Sequence, residues 1–367
     1  MSAITFRIDG TDGSARAGCI STPHGDVPTP AFMPVGTQGA VKCLTADAVR
    51  SAGARLLLAN AYHLMLRPGA ETIASARGLQ EWSGWRAPML TDSGGYQLFS
   101  LAELARVSDD GVKFRSHIDG SPLFLSPQEC VRVQNLLGAD IIMPLDDCVG
   151  FPVERYRAEE SVRRTSLWAR RSRDAHARRD QALFGIVQGG TYADLRRRSA
   201  EELVALDLPG YAVGGVSVGE GADLIREMTS STVALLPSDR PRYLMGVGLP
   251  LDVLDAVACG VDMFDCVIPT RNGRNGWAFT LSGLLRVKNS RYSRDDSPIE
   301  PGCDCFACRN HSRSYIRHLF NAGEIAGMSL VSLHNLRFYM RLVEGAREAI
   351  KSGRFAQYRA SVAQSAS

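Results

Sequence analysis

Three cysteines crowd into Cys303-Asp304-Cys305-Phe306-Ala307-Cys308, and His334 follows further along the chain. Three thiolates and one imidazole make a complete tetrahedral set for Zn2+, with no open position for water or substrate. Such a set predicts one structural ion per chain, pinning a segment of about residues 285–335 to the rest of the fold. Chance clustering beside a core histidine is the bland alternative, and the C-x-C-x-x-C spacing weighs against it. Two acidic segments point to different chemistry. Thr91-Asp92-Ser93-Gly94-Gly95-Tyr96-Gln97 sets a carboxylate ahead of two glycines, which let backbone approach another group closely. Asp262-Met263-Phe264-Asp265 leads into a stretch with Arg271 and Arg274 spaced by Asn and Gly, the composition of an anion-binding turn. Alone, Asp92 reads equally well as a helix cap, and the arginines as a solvated turn. Two carboxylates beside one bond, however, support glycosidic chemistry, one as nucleophile and the other as acid or base.

Both acids close short apolar runs. The runs are Ala31–Gly36, Leu56–Asn60, Met89–Asp92, Asp140–Asp146, Phe184–Gln188, Tyr211–Gly215, Tyr243–Val247 and Val261–Asp265. Continuous apolar runs suit strands buried on both faces, as in a parallel sheet. Between them lie helical patterns. Thr45 caps one that stops at Gly53, and Ala158–Ala177 carries Glu159–Arg163 and Glu160–Arg164 at the i,i+4 spacing. Asp194–Leu206, Asp252–Cys259 and a final Leu333–Glu344 also read as helices. Eight strands alternating with helices predict an α/β fold, a (β/α)8 TIM barrel with a zinc-binding subdomain inserted near the C-terminus. The doubly wound sheet, the competing architecture, lacks its Gly-rich phosphate fingerprint here. Residues 1–367 read as one barrel domain with the final helix packed back on it. In a barrel, Asp92, Asp146, Gln188, Gly215 and Asp265 converge at one mouth.

Composition excludes only extremes. The 367 residues hold 42 Lys+Arg against 39 Asp+Glu, a net charge of +3 that argues against indiscriminate polyanion binding. Locally, residues 271–318 carry nine basic against four acidic residues, as does the stretch 154–179, where a solvated helix face explains them equally well. No signal-like or membrane-length apolar run is present, and the cysteine pattern suits a reducing compartment with one metal site better than a disulfide framework. A cytoplasmic protein without membrane association is the expectation.

Together these segments resemble the bacterial tRNA-guanine transglycosylases nearly end to end. The resemblance rests on Thr91–Gln97, Phe184-Gly-Ile-Val-Gln-Gly-Gly190, Tyr211–Gly215, Pro241-Arg-Tyr-Leu-Met-Gly-Val-Gly248, Asp262–Arg271 and the Cys303/Cys305/Cys308/His334 set, in that order. It implies a pentosyltransferase that exchanges the wobble guanine of the tRNA anticodon for 7-aminomethyl-7-deazaguanine, the queuosine precursor. Asp265 is then the nucleophile and Asp92 the general acid/base. Asp146, Gln188 and the backbone of Gly215 read the guanine-like edge, while Tyr96 and Met245 sandwich the ring. Arg271, Arg274 and Lys288 hold tRNA phosphates. Homodimers are usual among such proteins, and a homodimer is expected by analogy.

Departures bear on the substrate. The acidic pair is Asp146-Asp147 before Cys148, where the family often has Asp-Glu-Cys. Cys148 and Val218 follow the bacterial pattern, which favours the aminomethyl precursor over queuine. The residues after His334 are too few for the RNA-binding domain of the archaeal relatives, against the archaeosine branch. The alternatives are a non-catalytic tRNA-binding subunit, which loses the nucleophile, and a glycoside hydrolase, which has no use for the metal set or the arginine segment.

Overall fold

The apolar runs become short, fully buried strands in the computed structural model, which describes residues 3–100 and 105–366. The fold is mixed α/β with two parallel sheets. One runs Leu57–Asn60, Met89–Asp92, Ile141–Ile142 and Ala182–Leu183 in spatial order. The other runs Gly185–Val187, Tyr211–Val213, Arg242–Leu244, Met263–Asp265 and Ala31–Met33. Alternate side chains explain why the runs are continuous. Met33, Leu58, Leu90, Ile141, Ile186, Ala212 and Met263 meet in one cluster on the inner face. Phe32, Leu57, Met89, Ile142, Val187, Val213 and Phe264 pack outward into a larger cluster shared with the helices. A strand with both faces buried needs no polar alternation.

The helices fall close to the expected places, with different ends. They run Ala46–Ser51 behind the Thr45 cap, Arg155–Ala175, Ala193–Val204 and Pro250–Ala258. The last long helix spans Ile325–Lys351, well beyond the expected Leu333–Glu344. In its first turn Gly327 packs against Leu319 and Phe320 of the Arg313–Ala322 helix, where added carbon would crowd Leu319 at 3.1 Å. On the Arg155–Ala175 helix the Glu160–Arg164 pair forms at 2.5 Å, but Glu159–Arg163 does not. Glu159 pairs with Arg155, and Arg163 reaches across to Asp109 at 2.5 Å.

Two three-stranded antiparallel sheets were not expected, nor was the two-stranded antiparallel pair Trp277–Thr280 and Gly283–Arg286. Thr5–Asp12, Ala15–Thr22 and Gly25–Thr29 form the first, whose Ile20 and Val27 enter the inner cluster beneath the parallel strands. Arg106–Ser108, Gly111–Arg115 and Pro122–Leu125 form the second.

Candidate active site

All the parallel strands run the same way, so the residues that end or follow them emerge together. Asp92 and Asp265 are the last residues of their strands. Gln188 and Met245 come directly after theirs, and Gly215 and Asp146 slightly later. A cavity of about 360 Å3 collects them, lined by Asp92, Tyr96, Asp146, Gln188, Gly215, Met245, Asp265 and Arg271 among others. Six of these eight come from strand ends or the loops that follow them, Tyr96 from the Gly95–Ser100 helix and Arg271 from the Ile268–Arg274 helix. Arg274 and Lys288 do not line it; Lys288 Nζ instead lies 5.2 Å from the centre of the Phe320 ring.

The two outer acids are held differently. Tyr243 Oη donates to Asp265 Oδ1 at 2.6 Å and the Gly246 N–H donates to the same oxygen at 2.8 Å. Among the described residues nothing hydrogen-bonds Oδ2, which leaves one carboxylate oxygen anchored and the other open to the cavity. Burial raises the Asp265 pKa above the usual carboxylate range, and the two donors oppose that shift. Asp92 receives Asn60 Nδ2 at 3.1 Å, from the residue directly opposite it in the neighbouring strand. Burial, then the charges of Asp146 and Asp265, push its pKa up to about 7, against the Gly94 and Ser93 N–H groups. A carboxyl poised near neutrality can give a proton and take it back.

The third acid faces an amide. Gln188 Nε2 donates to Asp146 Oδ2 at 2.7 Å, while Gln188 Oε1 is buried without a partner. Burial raises Asp146 to about 6, with Gln188 opposing. The glycines after Asp92 make room for the protein itself. A Cβ on Gly94, whose φ is +95°, would stand 2.3 Å from Tyr62 Cβ, and one on Gly95 would stand 2.1 Å from Asp146 Oδ1. Gly215 likewise sits against Gln188 Oε1, at 2.3 Å from where its Cβ would be. Beyond it, Glu220 accepts the Ser217 and Val218 N–H groups at 2.5 and 2.9 Å, so it holds amides and is no surface turn acid.

Asp147 points elsewhere. It pairs with Arg157 at 2.6 Å and with Arg164, and does not line the cavity, so the departure from Asp-Glu-Cys leaves the pocket wall untouched. The basic helix is explained in the same way. Besides Arg157 and Arg164, its Arg155, Arg163, Arg170, Arg171 and Arg173 each meet a carboxylate.

The metal set is equally well gathered. One ligand atom from each of Cys303, Cys305, Cys308 and His334 lies within 4.8 Å of all the others. His334 Nδ1 stands 3.6, 3.7 and 3.3 Å from the three sulfurs. A tetrahedron with Zn–S of about 2.3 Å and Zn–N of about 2.05 Å has S···N edges of about 3.6 Å. His334 Nε2 lies 2.7 Å from the Phe279 carbonyl, which fixes that nitrogen as the protonated one and leaves the Nδ1 lone pair for a metal. The four residues can therefore hold a metal ion, in an apolar shell of Ala278, Leu285, Ile299, Ile316 and Val331.

Sequence reasoning missed Tyr243 and Asn60, which hold the two acids. Asn60 carried a signal as the polar end of an apolar run; Tyr243 carried none, because a strand tyrosine reads as core.

The family described as "Queuine tRNA-ribosyltransferase" matches residues 11–367. A protein of that name from Pelotomaculum thermopropionicum is 55% identical over 359 residues, covering 97% of each chain. Another from Symbiobacterium thermophilum is 56% identical over 347 residues, 94% of this chain and 87% of the relative. A third, from Nitratidesulfovibrio vulgaris, is 50% identical over 359 residues. Matched over nearly its whole length and 50–56% identical to these relatives, the chain belongs to the queuine tRNA-ribosyltransferase family.

Proposed function

We propose that the protein is a tRNA-guanine transglycosylase, replacing the wobble guanine of the anticodon with 7-aminomethyl-7-deazaguanine by double displacement. The observation that carries this is one cavity holding an anchored carboxylate, Asp265, and a second carboxyl near neutrality, Asp92. Asp265 Oδ2 attacks C1′, the C1′–N9 bond breaks, and Asp92 delivers its proton to the departing guanine. The incoming base then loses its N9 proton to Asp92, attacks C1′ and releases Asp265, with configuration retained. Asp146, Gln188 and the Gly215 backbone supply an acceptor, an amide and a donor for the purine edge. Tyr96 and Met245 supply the walls for a base taken out of its stack. Arg271 at the rim and Arg274 beside it meet phosphates, with Lys288 further out on the metal-bearing lobe.

The same reading includes the architecture. Only Phe184 separates Ala182–Leu183 from Gly185–Val187, and Val35 bridges to Leu58, so the two parallel sheets read as one closed (β/α)8 barrel. Residues of about 285–335 form the inserted metal lobe, and the metal is zinc. On that lobe the exposed Phe306 and Tyr315 flank a half-buried His311, which meets Phe306 edge-on and stacks on Tyr315, a patch suited to a second copy of the chain. No helix among the described residues is long and apolar enough to cross a membrane, and the reaction belongs in the cytoplasm, where tRNA is. A tRNA-binding subunit without catalysis would have no need of both acids in the cavity.

Labelled guanine should enter a tRNA carrying wobble guanine and stay out of the same tRNA with that base replaced. Equal entry into both, or into neither, overturns the reading. For the metal, one zinc per chain is expected. A Cys305→Ser variant should lose it and melt on the order of 5–10 °C lower, because metal binding and local folding are one event. A zinc-free native protein with an unchanged melt removes the assignment.

A further inference from the structure

Behind the cavity lies a charged group that the reaction does not use. Arg196, on the Ala193–Val204 helix, is 1% exposed, and no carboxylate among the described residues forms an ion pair with it. An isolated buried cation is expensive unless backbone dipoles replace its hydration. Here carbonyls do so for Nε and one terminal nitrogen, and the Glu220 charge adds a favourable contribution. The other terminal nitrogen is buried without a hydrogen-bond partner among the described residues. Arg196 Nε donates to the Gly190 carbonyl at 2.7 Å, and one terminal nitrogen donates to the Gly214 and Gly215 carbonyls, each at 3.1 Å. It thus ties the loop after Gln188 to the loop that carries Gly215. Gly189 is required for this: its φ is +140°, and a Cβ there would stand 2.7 Å from the Arg196 backbone nitrogen.

The consequence follows from peptide geometry. In a trans peptide the C=O and N–H point in opposite directions. With the Gly214 and Gly215 carbonyls turned to Arg196, the N–H groups of Gly215 and Val216 face away from it. Both residues line the cavity, and among the described residues neither N–H has a hydrogen-bond partner. Turning either peptide over would bring a carbonyl to the cavity and leave Arg196 facing an N–H. The glycines at Gly214 and Gly215 impose little barrier to such a turn, so the guanidinium must supply it.

We propose that Arg196 is a positioning residue that sets the polarity of the Gly214–Val216 backbone, making the cavity present N–H donors that accept a 6-oxo purine and refuse a 6-amino one. This rests on the base-exchange reading above. The residue touches neither substrate nor reacting atoms and acts through the peptides it holds.

The test compares equilibrium binding of 7-deazaguanine with that of 7-deaza-2,6-diaminopurine, which carries a donor at position 6. The native protein, Arg196→Met and Arg196→Lys are measured, with thermal melts alongside. Selectivity for the 6-oxo base should fall at least about tenfold in Arg196→Met, the scale of one hydrogen bond lost or reversed. Arg196→Lys keeps the buried cation but cannot span both loops, so its selectivity should fall as well, and it decides the matter if the Met variant does not fold. A purely structural role predicts lower melting with the selectivity ratio unchanged, and that result overturns the inference. A native protein that neither selects nor exchanges the 6-oxo base sinks the base-exchange reading instead.

Discussion

Asp265→Asn should abolish base exchange, by at least about 10^4-fold, and leave no denaturation-resistant adduct with an anticodon stem-loop. The variant is a clean one for geometric reasons. Asn Oδ1 can still accept Tyr243 Oη and the Gly246 N–H, so the side chain keeps its orientation. Only the free oxygen changes, from a carboxylate oxygen to an amide nitrogen that cannot open a glycosidic bond. The fold should not suffer. Burial raises the Asp265 pKa, which means the folded state resists its ionisation, and Asn removes that charge. A melt at or above the native value together with loss of the adduct separates chemistry from folding. An adduct of native yield in the Asn variant rejects Asp265 as nucleophile.

The second large effect concerns Asp92 and carries a pH signature. Its folded pKa of about 7 stands above the ordinary 3.8. An acid with a raised folded pKa binds its proton more tightly in the folded than in the unfolded state. Its contribution is therefore full below about pH 4 and is lost as pH rises through about 7. The shift corresponds to an upper bound of about 4 kcal/mol, reduced by water at the cavity mouth. At pH 8, Asp92→Asn should thus melt higher than the native protein while exchange falls by about 10^2–10^4-fold, the scale of general acid–base catalysis. In the native protein, single-turnover adduct formation should decline above about pH 7, where the acid is deprotonated, and the variant should lack that limb. Because Asp92, Asp146 and Asp265 feel one another, the limb belongs to the cluster as a whole. A native profile flat from pH 5 to 9 counts against Asp92 as the proton donor.

Much of this site could be read in the chain. Strands buried on both faces leave continuous apolar runs, and in a parallel sheet their polar ends must share one side, so Asp92, Asp146, Gln188, Gly215 and Asp265 were found by position. The three-stranded antiparallel sheets escaped because their outer strands are largely exposed; Thr5–Asp12 holds only exposed and half-buried residues and has no apolar run at all. Arg196 escaped for a different reason. It stands in Arg196-Arg197-Arg198, which reads as a solvated face, and a helix turns about 100° per residue. That rotation buries Arg196 and leaves Arg197 and Arg198 in water. The supporting partners, Tyr243 and Asn60, depend on side-chain direction across neighbouring strands, which spacing along one strand does not encode.

The paired arginines of the Arg155–Ala175 helix bear on how the molecule meets a polyanion. An RNA strand gains affinity chiefly by expelling mobile cations from its own phosphates when protein charges take their place. A guanidinium already clasping Asp109, Asp147 or Asp194 has nothing to offer in that exchange, since its carboxylate would have to be set free in return. Under the proposed function, the sensitivity of tRNA capture to salt should therefore follow Arg271 at the cavity more than the charge count of the Arg155–Ala175 helix.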